Sequence, residues 1–282
     1  MSKGGLLLIA GAGRYPLCLA SGAKRAGVER LVVLAFRGQT DRSLKALADE
    51  HHVLGVGELA KVQALIRSLH EDGVDAAVVA GQITPSALFR TRFDPMLRAL
   101  MRSLPVKSAH SIFGALLGMI EDLGVRVLPA SVFMEDFIPS AGTLTARAPD
   151  EREEADIRRG YEAAMAAGTV DIGQTVVVKD GMVLAVEAFE GTNAAIRRGA
   201  KLGGKGAVVV KTARAGHDMR FDIPVIGAKT IAVMRRNSVS VLAFQAGRTI
   251  LLDREKALRE ADKAGIAVVA LPNDLPPAPT RP

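Results

Sequence analysis

The sequence predicts an α/β protein of two domains: an N-terminal Rossmann-like parallel sheet with helices on both faces, and a C-terminal mixed α/β domain. Three observations lead there. Through the first half, continuous apolar runs alternate with segments of helical periodicity, the pattern of parallel strands covered on both faces. The chain has 282 residues, enough for one large or two ordinary domains. A stretch bearing Pro139, Gly142 and Pro149 separates this half from a second that is denser in strand-like runs. The expected boundaries are 1–140 and 141–282.

In order, Leu6–Ala10 reads as a buried strand and Gly11–Gly13 as a turn. Leu17–Ala26 reads as a helix closed by Gly27. Arg30–Ala35 is a second strand, Leu59–Leu69 a helix with apolar residues at helical spacing, and Ala76–Ala80 a third strand. Leu97–Leu104 and Ile112–Leu123 are helical, and Arg126–Leu128 is a short strand. Past the connection, Glu151–Ala167 is a helix whose early acids suit its positive end. Gln174–Val178 and Leu184–Ala188 flank Asp180-Gly181, a strong hairpin signal. A helix begins at Gly191–Gly199, Gly206–Val210 is a strand, Ile223–Gly227 is strand or turn, and Thr230–Asn237 is a helix. Val239–Phe244 and Thr249–Leu252 are expected to form a second hairpin around Ala246-Gly247. A helix from Asp253 to Ala264 and a strand at Ile266–Ala270 precede a Pro-rich tail.

Composition excludes several classes. With 49% hydrophobic residues the chain is no disordered polymer. One cysteine, Cys18, allows neither a disulfide framework nor a Cys-based zinc site within the chain, as expected in a reducing cytosol. The histidines at 51, 52, 70, 110 and 217 follow no HExxH spacing. Nine Phe, two Tyr and no Trp supply few stacking platforms, and the net charge of +7 is spread over both halves, so no nucleic-acid partner is expected. The opening apolar run is too short for a signal peptide, and no stretch reaches the ~20 apolar residues of a membrane span. Any meeting with lipid is expected from the surface.

Four polar motifs could carry chemistry. Ala10-Gly11-Ala12-Gly13-Arg14-Tyr15-Pro16 follows the first strand; Gly11 and Gly13 either make a plain tight turn or offer backbone N–H groups to a phosphate. Pro16 and the absence of an acid after the second strand depart from a dinucleotide fingerprint. Asp171-Ile172-Gly173-Gln174 is either a capped turn or a loop at a domain boundary. In Glu187-Ala188-Phe189-Glu190-Gly191-Thr192-Asn193, Thr192 is either a helix cap or part of a helix start facing an anion, with Glu187 or Glu190 near a cation. Last comes the charged run Lys211, Arg214, His217, Asp218, Arg220 and Asp222. If it is extended, Asp218, Arg220 and Asp222 point one way. Two carboxylates beside an arginine can hold a divalent cation or activate water, while the arginine neutralises phosphate; a solvated charged loop is the other reading. The motifs alone describe a protein that binds something phosphorylated.

At these motifs the sequence resembles the alternative (LpxI-like) UDP-2,3-diacylglucosamine pyrophosphatases of lipid A synthesis in Gram-negative bacteria. The likeness is carried by Leu7–Pro16, Asp171–Gln174, Gly181–Ala188 with Glu190-Gly191-Thr192, and Arg220-Phe221-Asp222-Ile223-Pro224-Val225-Ile226-Gly227. It implies two domains with substrate between them, and magnesium-dependent hydrolysis (manganese being the alternative cation) to UMP and 2,3-diacylglucosamine 1-phosphate, lipid X. The family's functional aspartate falls on Asp222, and Asp218 matches an acidic position four residues earlier. On that footing Asp222, Asp218 and Arg220 are the expected catalytic residues, with Asp222 and Asp218 on the metal. Arg220 and Lys211 would neutralise phosphate oxygens. Gly11, Gly13, Asp171, Gln174, Glu190, Gly191 and Thr192 complete the expected substrate contacts, with Gln174 on the sugar or nucleotide. Ile112–Leu117 would help line an apolar cleft for the acyl chains. The chain departs from the family pattern at Asn193, Arg214-Ala215 and His217, and Val106–Phe113 lacks an expected acidic pair. The expected location is cytoplasmic, peripheral on the inner membrane, and a homodimer is compatible with it. The rival readings are a non-catalytic sugar-nucleotide or lipid-binding module and an NAD(P)-dependent oxidoreductase.

Overall fold

The computed structural model describes residues 5–83, 91–106, 109–213 and 218–273. The chain divides into two compact units, Met1–Glu135 with Asp218–Asp222, and Asp136–His217 with Ile223–Pro282.

The first unit is built on β1 (Gly5–Ala10), β2 (Leu31–Phe36), β3 (Glu50–Leu54), β4 (Val74–Ala80) and β5 (Arg126–Val127). They form one sheet in the order β3-β2-β1-β4-β5, parallel throughout. The helices are α1 (Tyr15–Arg25), α2 (Leu59–Glu71), α3 (Pro95–Ser103) and α4 (Ala109–Asp122). Alternation along the strands sorts the core. Leu7, Ile9, Val32 and Leu34 pack with Val62, Ile66 and Leu69 of α2 and Leu117 and Ile120 of α4. Helix α1 lies against β1, β2 and β4 and buries Leu19, Ala20 and Ala23. It starts two residues before its expected position, with Pro16 in its first turn, where a missing N–H costs nothing. The Tyr15 hydroxyl donates to the Ala130 carbonyl, and burial pushes that phenol well above its ordinary range. Strand β3 is absent from the sequence reading. It is a sheet edge, its residues 50–54 are half-buried or exposed, and the segment Glu-His-His-Val-Leu therefore carries no apolar run.

The second unit holds β6 (Gly142–Thr143), α5 (Glu151–Thr169), β7 (Thr175–Lys179), β8 (Met182–Val186), α6 (Thr192–Gly203), β9 (Val208–Lys211), β10 (Val225–Gly227), α7 (Ala228–Arg236), β11 (Val241–Gln245), β12 (Ile250–Leu252), α8 (Arg254–Lys263) and β13 (Ala267–Leu271). Six strands form a mixed sheet ordered β6-β13-β11-β9-β7-β8. Val177, Val209, Leu242, Phe244 and Val268 face the helices α6, α7 and α8. Val176, Val178, Val208, Val210, Val241 and Ala243 face α5. Two-sided burial makes these strands continuous apolar runs. The Asp180-Gly181 hairpin forms as expected, with both residues at positive φ and Asp156, buried on α5, accepting from both turn amides at 2.9 and 2.6 Å.

The expected hairpin between Val239–Phe244 and Thr249–Leu252 does not form. Strand β11 is held on both edges by parallel partners, β9 and β13, so no edge remains for the next strand. Strand β12 instead pairs in parallel with β10 as a separate two-stranded sheet.

Helix α5 opens with a capping box in which the Asp150 side chain accepts from the Glu153 amide and Glu153 accepts from the Asp150 amide. Arg147 donates to both oxygens of buried Glu153, at 2.7 and 3.1 Å, and to the Ser240 carbonyl at 2.7 Å. Burial pushes the Glu153 carboxyl up, but hydrogen bonds from Arg147, Ser240 and the Asp150 amide outweigh it and leave the group below its ordinary value. A carboxylate depressed in the folded state adds stability at neutral pH that fades as pH falls through its ordinary value of 4.5 and below. Glu153→Gln is expected to cost about 2 kcal/mol at pH 7. In thermal melts against pH, the gap between variant and parent should narrow below that value; a gap constant with pH would show that charge is not its source.

Candidate phosphate-handling site

Pairing in the second unit gathers a polar cluster at one end of its sheet. The antiparallel register of β7 and β9 sets Thr175 opposite Lys211. The Glu187 amide donates to the Thr175 carbonyl at 2.7 Å, carrying the β7–β8 pairing one residue past the end of β8. Five residues later α6 starts, with Gly191 as its N-cap and Thr192 as its first residue.

The side chains form a directed chain of bonds. Lys211 is buried, and its Nζ donates to Thr192 Oγ1 at 2.8 Å and to Thr175 Oγ1 at 3.4 Å. The Thr192 hydroxyl donates to Glu187 Oε1 at 2.8 Å. Glu187 Oε2 lies 3.7 Å from Lys211 Nζ; it is buried and takes no hydrogen bond among the described residues. The Glu187 side chain is 13% exposed and that of Lys211 8%. An ammonium held at a helix start, with one counter-charge and two hydroxyls, can neutralise an anionic oxygen brought to it.

The loop before β7 depends on this arrangement. A Cβ on Gly173 would lie 2.0 Å from the Glu187 carbonyl oxygen, so only glycine allows the two segments to touch. Gln174 is half-buried, and its carbonyl accepts from the Thr212 amide. Asp171 is exposed at φ 55°, just past the end of α5, its amide donating to the Gly168 carbonyl. Glu190 stands apart from the cluster. Arg198 donates to it at 2.6 Å and holds its carboxyl below the ordinary range. Of the two acids considered beside a cation, Glu187 meets Lys211 and Glu190 meets Arg198. The Gly191 amide donates to the Ala188 carbonyl at 3.2 Å.

In the first unit, strand order reverses between β1 and β4, where an open α/β sheet ordinarily leaves a ligand crevice. Here Ala12 and Gln82 form an antiparallel bridge across that point. The Gly11 amide donates to the Ala80 carbonyl at 2.8 Å, and a Cβ on Gly11 would lie 2.7 Å from the Gln82 carbonyl oxygen. Gly11 is thus a close-packing glycine whose N–H is already used within the sheet. Gly13 is exposed, with open space about its Cβ position.

The Asp218–Asp222 segment is not extended. The Asp218 carbonyl accepts from the amides of Phe221 and Asp222, at 3.2 and 3.1 Å, which winds the segment into one turn. The expected alternation of side chains is lost with it. Arg220 folds back so that Nε and Nη2 reach the Asp218 carboxylate at 2.7–3.1 Å, while Nη1 reaches both oxygens of Glu121 at 2.8 and 2.9 Å. Arg220 holds Asp218 below the usual carboxylate range, and Asp218 and then Glu121 push the guanidinium up. Phe221 packs against Phe113 and His110, with ring centroids 5.7 and 5.3 Å apart. Asp222, half-buried, ends the segment. Arg214 and His217 lie outside the described residues. Thr175 and Glu121 escaped the sequence reading. A strand threonine and a helix glutamate 99 residues from Arg220 carry no local signal.

These two units, with their phosphate-suited cluster, define an α/β protein of two-domain type, and comparison with known proteins gives its family. The description "LpxI N-terminal domain" matches residues 5–137 and "LpxI C-terminal domain" residues 140–269. A curated relative from Caulobacter vibrioides, named UDP-2,3-diacylglucosamine pyrophosphatase LpxI, is 31% identical over 275 residues, covering 94% of this chain and 96% of its own. The chain belongs to the LpxI family. Solved structures are far more distant. The protein gox2253 gives a TM-score of 0.32 at 11% identity over 96% of this chain and 91% of its own. The biotin carboxylase subunit of a pyruvate carboxylase gives 0.27 at 15% identity over 66% and 38%. Likeness at that level carries no argument about fold or function. Among the described residues, no helix is long and apolar enough to cross a membrane.

Proposed function

We propose that this protein hydrolyses the pyrophosphate of UDP-2,3-diacylglucosamine to UMP and 2,3-diacylglucosamine 1-phosphate, at the cytoplasmic face of the inner membrane. The observation that carries the reading is end-to-end similarity to the Caulobacter pyrophosphatase, 31% identity over 94% of the chain. The cluster around Lys211 supports it. Water adds to one phosphorus, the bridging P–O bond breaks, and the two protons of water pass to solvent or product oxygens. Charge accumulates on the phosphate oxygens as this happens, and a fixed ammonium is stronger there than solvent would be. We assign that work to Lys211, with Thr192 beside it, and we assign Gln174 to the sugar or nucleotide.

Magnesium, or manganese in its place, would belong with Asp222. Both oxygens of Asp218 are engaged by Arg220, and no group of three or more His, Cys, Asp or Glu side chains suited to a metal occurs among the described residues. Magnesium ordinarily needs only one or two carboxylates when substrate phosphates and waters complete its shell. Asp222 with the pyrophosphate oxygens fits that pattern, and the ion would supply further charge neutralisation. Asp218 and Arg220 then serve to shape the turn that carries Asp222.

The test is incubation of purified protein with UDP-2,3-diacylglucosamine, with and without magnesium. UMP release that EDTA stops and magnesium restores is the expected result. Intact substrate recovered bound to the protein would instead favour a binding module.

A further inference from the structure

We propose that Glu187 is a positioning residue that acts through Lys211: it fixes the Thr192 hydroxyl as an acceptor and so holds the Lys211 ammonium where a substrate phosphate would meet it. The inference rests on the pyrophosphatase reading and on the role given there to Lys211.

The bond directions carry the argument. An ammonium only donates, so Thr192 must accept at the 2.8 Å contact from Lys211. A hydroxyl has one hydrogen, and that of Thr192 goes to Glu187 at 2.8 Å. Were Glu187 an amide, its NH2 end could donate to Thr192 Oγ1 in competition with Lys211 and the counter-charge would be gone, so that Lys211 would lose its defined partner. Thr175, at 3.4 Å, is too long a contact to replace it. Glu187 also provides the counter-charge that this buried ammonium needs, while its own 3.7 Å distance leaves Lys211 free of a direct carboxylate hydrogen bond. The lysine is thereby neutralised at a distance yet not consumed. Gly173, having no Cβ, lets its own segment approach the Glu187 backbone closely.

A double-substitution cycle in the full-length protein tests this, with parent, Glu187→Gln, Lys211→Met and the double variant. UMP release and thermal midpoint are measured in each. Glu187→Gln is expected to lower kcat/KM about tenfold in the parent background and to have no further effect once Lys211 is Met. Glu187→Asp, which keeps the charge, should recover part of the loss. The midpoint of the double variant should exceed that of Glu187→Gln, because neither charge is then left buried alone, so a poorly folding single variant still leaves an interpretable cycle. Parent-like activity in Glu187→Gln, or a tenfold loss that persists in the Lys211→Met background, overturns the inference while leaving the pyrophosphatase reading intact. Absence of UMP release from the parent protein overturns that reading and this inference together. Full activity in Lys211→Met overturns the role of the lysine and everything assigned to act through it.

Discussion

Asp222→Ala is expected to lower kcat for UMP release by roughly 10³-fold, the scale of losing a group that acts directly on the reacting atoms. The fold should survive. The turn carrying Asp222 is closed by backbone bonds from the Phe221 and Asp222 amides to the Asp218 carbonyl, and the Arg220 pairs with Asp218 and Glu121 hold it from the side. None of these needs the Asp222 carboxylate. The diagnostic pattern is therefore lost turnover with an unchanged circular dichroism spectrum. Asp222→Asn separates charge from shape: a carboxylate that holds a cation or takes a proton is not replaced by an amide. A variant that turns over at the parental rate would remove Asp222 from the chemistry.

Lys211→Met is expected to lower kcat/KM by about 10²–10³-fold, the usual effect of removing one preorganised charge or donor from developing negative charge. Methionine keeps most of the aliphatic volume at this buried position, so the change is chiefly electrostatic. It also leaves Glu187, 13% exposed, without its counter-charge. The melting temperature should therefore fall as well. Lys211→Arg is not expected to rescue activity, since a bulkier planar guanidinium does not reproduce the contacts a compact ammonium makes with Thr175 and Thr192. Parental activity in Lys211→Met would show that substrate charge is met elsewhere.

Much of the fold was legible in the chain because two-sided burial writes itself as continuous apolar strands. Leu6–Ala10, Ala76–Ala80 and the valine runs at 176–178 and 208–210 could be placed on that basis alone. The edge strand β3 could not, since half its environment is water. The partner of β12 could not either. A short strand after Ala246-Gly247 has the same local signature whether it folds back as a hairpin or crosses to another sheet, and the choice was made by β13 occupying the edge of β11.

The candidate site divides the same way. Lys211 was visible in a charged run and Thr192 beside a glycine at a helix start. That Thr175 would stand opposite Lys211 is a matter of strand register, and register depends on the whole sheet. Likewise the sequence showed Asp218, Arg220 and Asp222 as an alternating charged run, while the folded chain wound them into a turn and gave the arginine a second carboxylate, Glu121, from a distant helix.

What the sequence alone determined is the α/β class, most element positions and the residue types that could meet a phosphate, because side-chain periodicity and glycine turns act over a few residues. Tertiary structure decided which charges find each other: the pairing of Lys211 with Glu187 rather than Glu190, and of Arg220 with Glu121. Those choices follow from strand order and close backbone approach, as where Gly173 meets Glu187, and contacts between segments far apart in the chain leave no local mark.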